Sequence, residues 1–132
     1  MTVDNKGVLL CIDDEPIVLY FTKLLLEAAG YDVLTADNGL DGVRVFDASH
    51  VDAVILDYRM PEMDGGAVAR RMRELKPQVP IIMYSGFQVS PDDLDGLVDV
   101  YVVKGQDPRV LLMMVEQLLT RKSEARRAVV NL

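Results

Sequence analysis

Apolar and polar positions along the chain fall into alternating short and long blocks. Short runs rich in β-branched residues read as buried strands: Val8 to Ile12, Tyr31 to Ala36, Val51 to Leu56, Val79 to Tyr84 and Val98 to Val103. Between them, apolar residues recur every three or four positions, the spacing of a helix with one buried face. Glu15 to Ala29 is the first such block, with Pro16 suited to a first turn and Gly30 to a C-terminal cap. Its inward stripe is expected to be Ile17, Phe21, Leu24, Leu25 and Ala28. Leu40 to Asp47 follows as a helix weakened by Gly42, then Asp64 to Leu75 with Val68, Met72 and Leu75 inward. A short helix is predicted over Asp92 to Leu97. The last helix opens with Asp107-Pro108, a cap and a first-turn proline, and runs to Leu119 or beyond.

Strands that each lead into a helix imply an α/β domain with a parallel sheet covered on both faces. Right-handed crossovers with one reversal of winding give a flavodoxin-like (βα)5 fold of strand order 2-1-3-4-5. Ligands of such sheets bind beyond the carboxyl ends of the strands, at the switch point between strands 1 and 3. The residues at that edge are Asp13, Asp14 and Glu15 after strand 1, Asp57 after strand 3, Ser85-Gly86 after strand 4 and Lys104 after strand 5. Singly, each has an ordinary reading as a helix cap, a turn former, a loop hydroxyl or a solvated lysine. Their coincidence on one edge is what those readings leave unexplained. Three adjacent carboxylates repel one another unless a cation joins them, and oxygen-only donors suit Mg²⁺. Lys104 and Ser85 add a point charge and a hydroxyl donor for phosphoryl oxygens, so the set makes sense as an aspartyl-phosphate site.

Composition narrows the partners. The 132 residues suit one domain, and half are apolar, enough for a core. A net charge of -7 works against binding nucleic acid through its phosphates. The expected division is a domain body over residues 1–120 and a basic tail over 121–132. In that tail Arg121, Lys122, Arg126 and Arg127 outweigh Glu124. The tail reads as a helix extension, a linker stub or a solvated end. Cys11, the single cysteine, lies in an apolar run and reads as a packing residue in a reducing compartment. Met1 to Lys6 lacks the apolar stretch of a signal peptide. Val110 to Val115 falls far short of the ~18 apolar residues that span a bilayer. A cytoplasmic protein without membrane contact is expected.

From about Lys6 to Leu119 the chain resembles the bacterial two-component response-regulator receiver domains. The matching pieces are Leu10-Cys11-Ile12-Asp13-Asp14-Glu15, Asp57-Tyr58-Arg59-Met60-Pro61-Glu62-Met63-Asp64-Gly65, Met83-Tyr84-Ser85-Gly86 and Tyr101-Val102-Val103-Lys104. The resemblance implies a signalling phosphoacceptor that catalyses only its own phosphorylation and dephosphorylation. Asp57 matches the phosphoacceptor. Asp14 and Asp57 match direct Mg²⁺ ligands, joined by the backbone carbonyl of Arg59, with Asp13 acting through water. Ser85 matches the switch hydroxyl, Lys104 the salt-bridging lysine, and Tyr101 the aromatic whose ring moves inward. The implied donor is a histidine kinase or histidine phosphotransfer protein, met near Val18. The implied output face combines the fourth helix, fifth strand and last helix, where Leu112, Met113 and Leu119 add apolar surface suited to a partner or a homodimer.

Three departures from the family pattern stand out. Gly105 replaces the proline that usually follows the lysine with a cis bond, so a trans bond or a reshaped loop is expected. Ser85-Gly86 replaces the commoner pair with alanine second, which loosens the loop. Arg59 and Phe87 occupy positions that tune phosphoryl lifetime in the family, and a bulky Phe87 would hinder the hydrolytic water. Among rivals, an aspartate-nucleophile phosphatase needs a second acid where Arg59 stands, and a flavin-binding domain needs a phosphate-cradling loop where Asp13-Asp14-Glu15 would repel phosphate. A pseudo-receiver that has lost phosphotransfer is the remaining alternative.

Overall fold

A computed structural model of the chain describes residues 5–86 and 94–130, with side chains as far as residue 125. The elements run β1 (Val8–Ile12), α1 (Pro16–Ala28), β2 (Asp32–Ala36), α2 (Gly39–Ala48), β3 (Ala53–Leu56), α3 (Gly65–Leu75), β4 (Ile81–Ser85), β5 (Val100–Val103) and α4 (Arg109–Val130). All neighbouring strands are parallel, in the order β2-β1-β3-β4-β5, as the sequence implies. The predicted helix over Asp92 to Leu97 lies largely outside the described residues; the part that is described closes a turn, Leu97 N–H donating to Leu94 O at 2.9 Å. Among the described residues no helix is long and apolar enough to cross a membrane.

Strand residues alternate between two cores, as successive side chains of a strand must. Leu10, Ile12, Val54, Leu56, Ile81 and Met83 face Phe46 of α2 and Val68 and Met72 of α3. Leu9, Cys11, Ile55 and Ile82 face Leu26 of α1 and Leu111, Val115 and Leu118 of α4. Both faces of the sheet are therefore covered, and both cores end at the same carboxyl edge.

Gly42, expected to weaken α2, instead lets it close on β1: a Cβ there would sit 2.5 Å from Ile12 Cδ1. The inward stripe of α1 needs correction. Ile17 (72 % exposed), Phe21 (63 %), Leu24 and Ala28 face outward, while Thr22 and Leu26 are buried, and Leu19, Leu25 and Ala29 pack beside them. The helix is apolar on nearly all sides, so stripes roughly a quarter-turn apart satisfy the same spacing, and periodicity cannot choose between them. The helix that ends the fold also runs further than its apolar pattern requires. Lys122, near its far end, reaches under the sheet, its Nζ 3.4 Å from the backbone oxygen of Asp52 and 4.0 Å from that residue's carboxylate.

Candidate functional site

Four of the five strands deliver a polar residue to the carboxyl edge through the ladder itself. Asp13 follows β1, its amide donating to Ala36 O at 3.2 Å, and Asp57 follows β3, its amide donating to Ile12 O at 2.9 Å. Ser85 ends β4 and is fully buried, and Lys104 follows β5 with its amide donating to Ser85 O at 2.9 Å. The loop after Asp57 is held tight. Gly65 N–H donates to Tyr58 O at 2.7 Å, Glu62 takes a left-handed φ of 68°, and the Asp64 carboxylate caps α3 by accepting from Ala67 N–H at 2.9 Å. Gly65 is required there, because a Cβ would lie 2.4 Å from Asp57 O.

Asp13, Asp14 and Asp57 each place a carboxylate oxygen within 4.8 Å of the other two. Lys104, with a side chain only 14 % exposed, leans into this group. Its Nζ donates to Asp13 Oδ2 at 2.5 Å and lies 3.3 Å from Asp57 Oδ1. Asp13 Oδ1 also accepts from Glu15 N–H at 2.9 Å, and Asp57 Oδ1 from Tyr58 N–H at 3.0 Å. Burial raises the Asp57 carboxyl to a pKa of about 6, with the Asp13 charge adding to the rise and Lys104 opposing it. Burial works against the Lys104 ammonium, but the hydrogen bond and charge of Asp13, aided by Asp57, hold its pKa above the usual lysine value. An acid left this reluctant to ionise, among oxygens this close, is a donor set that a small divalent cation would relieve. The cluster is compatible with a metal site.

The remaining predicted positions fall around this centre. Arg59 is exposed beside it. Tyr101 packs against the α2–α3 core with its hydroxyl buried and without a hydrogen-bond partner among the described residues. The Lys104–Gly105 bond is trans, as expected, with Gly105 at φ 88°, so glycine's freedom is used where the family usually has proline. Val18 is half-buried and lines a groove of about 580 Å³ between α1 and the β5–α4 loop. Leu112 and Leu119 pack against the α1–α4 core, and of the three apolar residues singled out on the last helix Met113 alone is largely exposed, at 53 %. Phe87 lies outside the described residues. The sequence reading missed Ile17, Phe21 and Leu24 as groove residues. The signal was present, since α1 carries more apolar residues than one buried face can use.

A doubly wound parallel sheet with an acid cluster and a lysine at its carboxyl edge places the chain in a class of α/β signalling modules. Within that class, the chain belongs to the response regulator receiver domain family, whose profile matches residues 9–116. A probable transcriptional regulator, ycf27, of Cyanophora paradoxa is 34% identical over 120 residues, covering 89% of this chain and 50% of that protein. The chain thus spans about half the length of such curated relatives. A CheY-like receiver domain protein from Methanospirillum hungatei superposes with a TM-score of 0.85 at 25% identity, covering 90% of this chain and 98% of that one. The response regulator TrrA of Thermotoga maritima, solved with Mg²⁺ and BeF, gives 0.81 at 32% identity, covering 85% and 98%. Receiver domains are signalling domains that interact with histidine kinases or phosphotransfer proteins.

Proposed function

We propose that this chain is a phosphoacceptor switch that takes a phosphoryl group from a phosphohistidine donor onto Asp57. The observation that carries the reading is the convergence of three carboxylates and the Lys104 ammonium at one sheet edge, with Nζ 3.3 Å from Asp57 Oδ1. An Asp57 oxygen attacks phosphorus, an O–P bond forms, and the donor's P–N bond breaks with its electron pair left on the imidazole. Lys104 and Ser85 receive the phosphoryl oxygens as a charge and a hydroxyl donor. Asp14, Asp57 and the Arg59 carbonyl would hold Mg²⁺, with Asp13 acting through water; the ion supplies charge neutralisation during transfer. TrrA, similar in fold and solved with Mg²⁺ and BeF, supports this ligand chemistry.

The donor docks in the α1 groove. Ile17 and Phe21 stand in water, which forgoes about 1.5–3 kcal/mol each that burial would give, and the groove they line runs up to Lys104. Its position suits an amphipathic donor helix that presents a phosphohistidine at the site. At the output side, Ser85 closing on the phosphoryl group draws on Tyr101, whose buried hydroxyl has no partner among the described residues and gains by finding one. Met113 belongs to the face through which a partner or a second copy would read the change.

Incubation with Mg²⁺ and acetyl phosphate tests the reading. Acid-labile phosphate that disappears without Mg²⁺ and in Asp57→Asn is the expected result. Well-folded protein that takes up no phosphate, and shows no Mg²⁺-dependent response to beryllofluoride, would mark a pseudo-receiver and end the proposal.

A further inference from the structure

Lys104 carries its charge on a long flexible stem, and little in its own backbone holds it. Its amide is fixed to Ser85 O at 2.9 Å, but Gly105 follows at φ 88°, and a Cβ at Gly105 would have no neighbour within 4 Å among the described residues. Asp13 and Asp57 attract the ammonium from one side. Both belong to the acid cluster, so a cation or phosphoryl group arriving there competes for them. Tyr84 is a contact outside that competition. Its ring centroid lies 5.9 Å from Lys104 Nζ, within the range of a cation–π attraction. Burial raises the pKa of the Tyr84 phenol, so the ring stays neutral and keeps its π-face for the cation.

The placement of Tyr84 fits this use. It precedes Ser85 on β4, pairs with Val102 on β5, and packs on the α1–α4 core. It also stands between two spaces. One is a void of about 10 Å³ bordered by Asp13 and Asp57. The other is the groove of about 580 Å³ bordered by Ile17, Phe21 and Lys104. We propose that Tyr84 is a positioning residue for phosphoryl transfer, its ring holding the Lys104 ammonium toward Asp57 where Gly105 gives no support. The proposal rests on the reading of Asp57 as phosphoacceptor.

Two measurements on wild type, Tyr84→Phe and Tyr84→Leu separate positioning from packing. In the first, acetyl phosphate labelling is followed across Mg²⁺ concentrations, with Asp57→Asn as the blank. Tyr84→Leu should label roughly three- to tenfold more slowly at saturating Mg²⁺, with the Mg²⁺ half-saturation unchanged. Tyr84→Phe, which keeps the ring, should recover most of the rate. The second measurement needs no phosphodonor. The upfield ring-current displacement of the Lys104 Cε protons by NMR should persist in Tyr84→Phe and vanish in Tyr84→Leu. Equal labelling rates in all three proteins overturn the inference, as does equal slowing in the two variants or a Lys104 signal indifferent to the ring. Wild type that resembles the Asp57→Asn blank instead overturns the phosphoacceptor reading, and the NMR comparison then decides the Tyr84 contact by itself.

Discussion

Burial and the Asp13 charge set the Asp57 carboxyl against its own ionisation, and stability should report it. The unfolded carboxyl releases its proton near the ordinary value of 3.8 and the folded one near 6. Between those values the folded chain binds more protons than the unfolded one, so stability falls as pH rises through that window. Above it, the cost of holding an ionised Asp57 is fully present. Asp57→Asn should therefore stabilise the metal-free protein at pH 7.5 by about 1–3 kcal/mol, a gain that shrinks as pH is lowered from 6 toward 4. Urea melts across that range measure it. A gain independent of pH would assign the effect to packing. Mg²⁺ should raise the melting temperature of wild type at pH 7.5 and do so far less for the variant, since a ligand that binds only the folded state stabilises it.

At the scale of elements, two glycines make graded predictions. Gly65→Ala sets a methyl 2.4 Å from Asp57 O and 2.8 Å from Tyr58 Cα, both backbone atoms that cannot turn aside. It should cost about 3 kcal/mol or more in denaturant melts and slow labelling of Asp57, because relief requires moving the phosphoacceptor loop. Gly42→Ala meets side-chain rather than backbone atoms, Ile12 Cδ1 at 2.5 Å and Cγ1 at 3.0 Å. It should cost about 1–2 kcal/mol, and Ile12→Val should recover part of that. A larger loss at Gly42 than at Gly65 would contradict the geometry. The same elements mark how far the sequence could be read. Strand order and the meeting of Asp13, Asp14, Asp57, Ser85 and Lys104 at one edge followed from alternation of elements and the rule for parallel sheets, with no side-chain detail needed. The phase of α1 did not follow, because a helix apolar all round offers several equivalent stripes and only packing on β1 and β2 selects Thr22 and Leu26. Leu112 and Leu119 read as spare surface for a related reason: α4 presses on the sheet over a wider arc than a single stripe describes.

For the whole molecule, the division of labour between the two sheet faces becomes testable. The α2–α3 side packs Phe46, Val68 and Met72 against the sheet, whereas the α1–α4 side also carries Ile17, Phe21 and Leu24 beside an open groove that ends at Lys104. Ile17→Ser and Phe21→Ser together should slow transfer from a phosphohistidine donor protein at least tenfold, while labelling by acetyl phosphate changes far less. Stopped transfer assays with both donors make the comparison, and equal slowing with both would place the defect at Asp57 rather than in docking. Because the groove contact is apolar, its contribution should persist at high ionic strength, where attractions between exposed charges are screened.

The last helix has a mechanical consequence. Its 22 residues extend about 33 Å, roughly twice the length of the strands it crosses. It begins beside the Lys104 loop and is tied to the opposite edge of the sheet where Lys122 reaches Asp52, about 20 Å along its axis. A rod held at both edges works as a lever with its fulcrum at the far one. A shift of one ångström at the loop end would turn into a counter-swing of about 0.6 Å at Val130, with no change needed in any strand. Whatever is joined to that tip would feel the site as a tilt rather than as a charge.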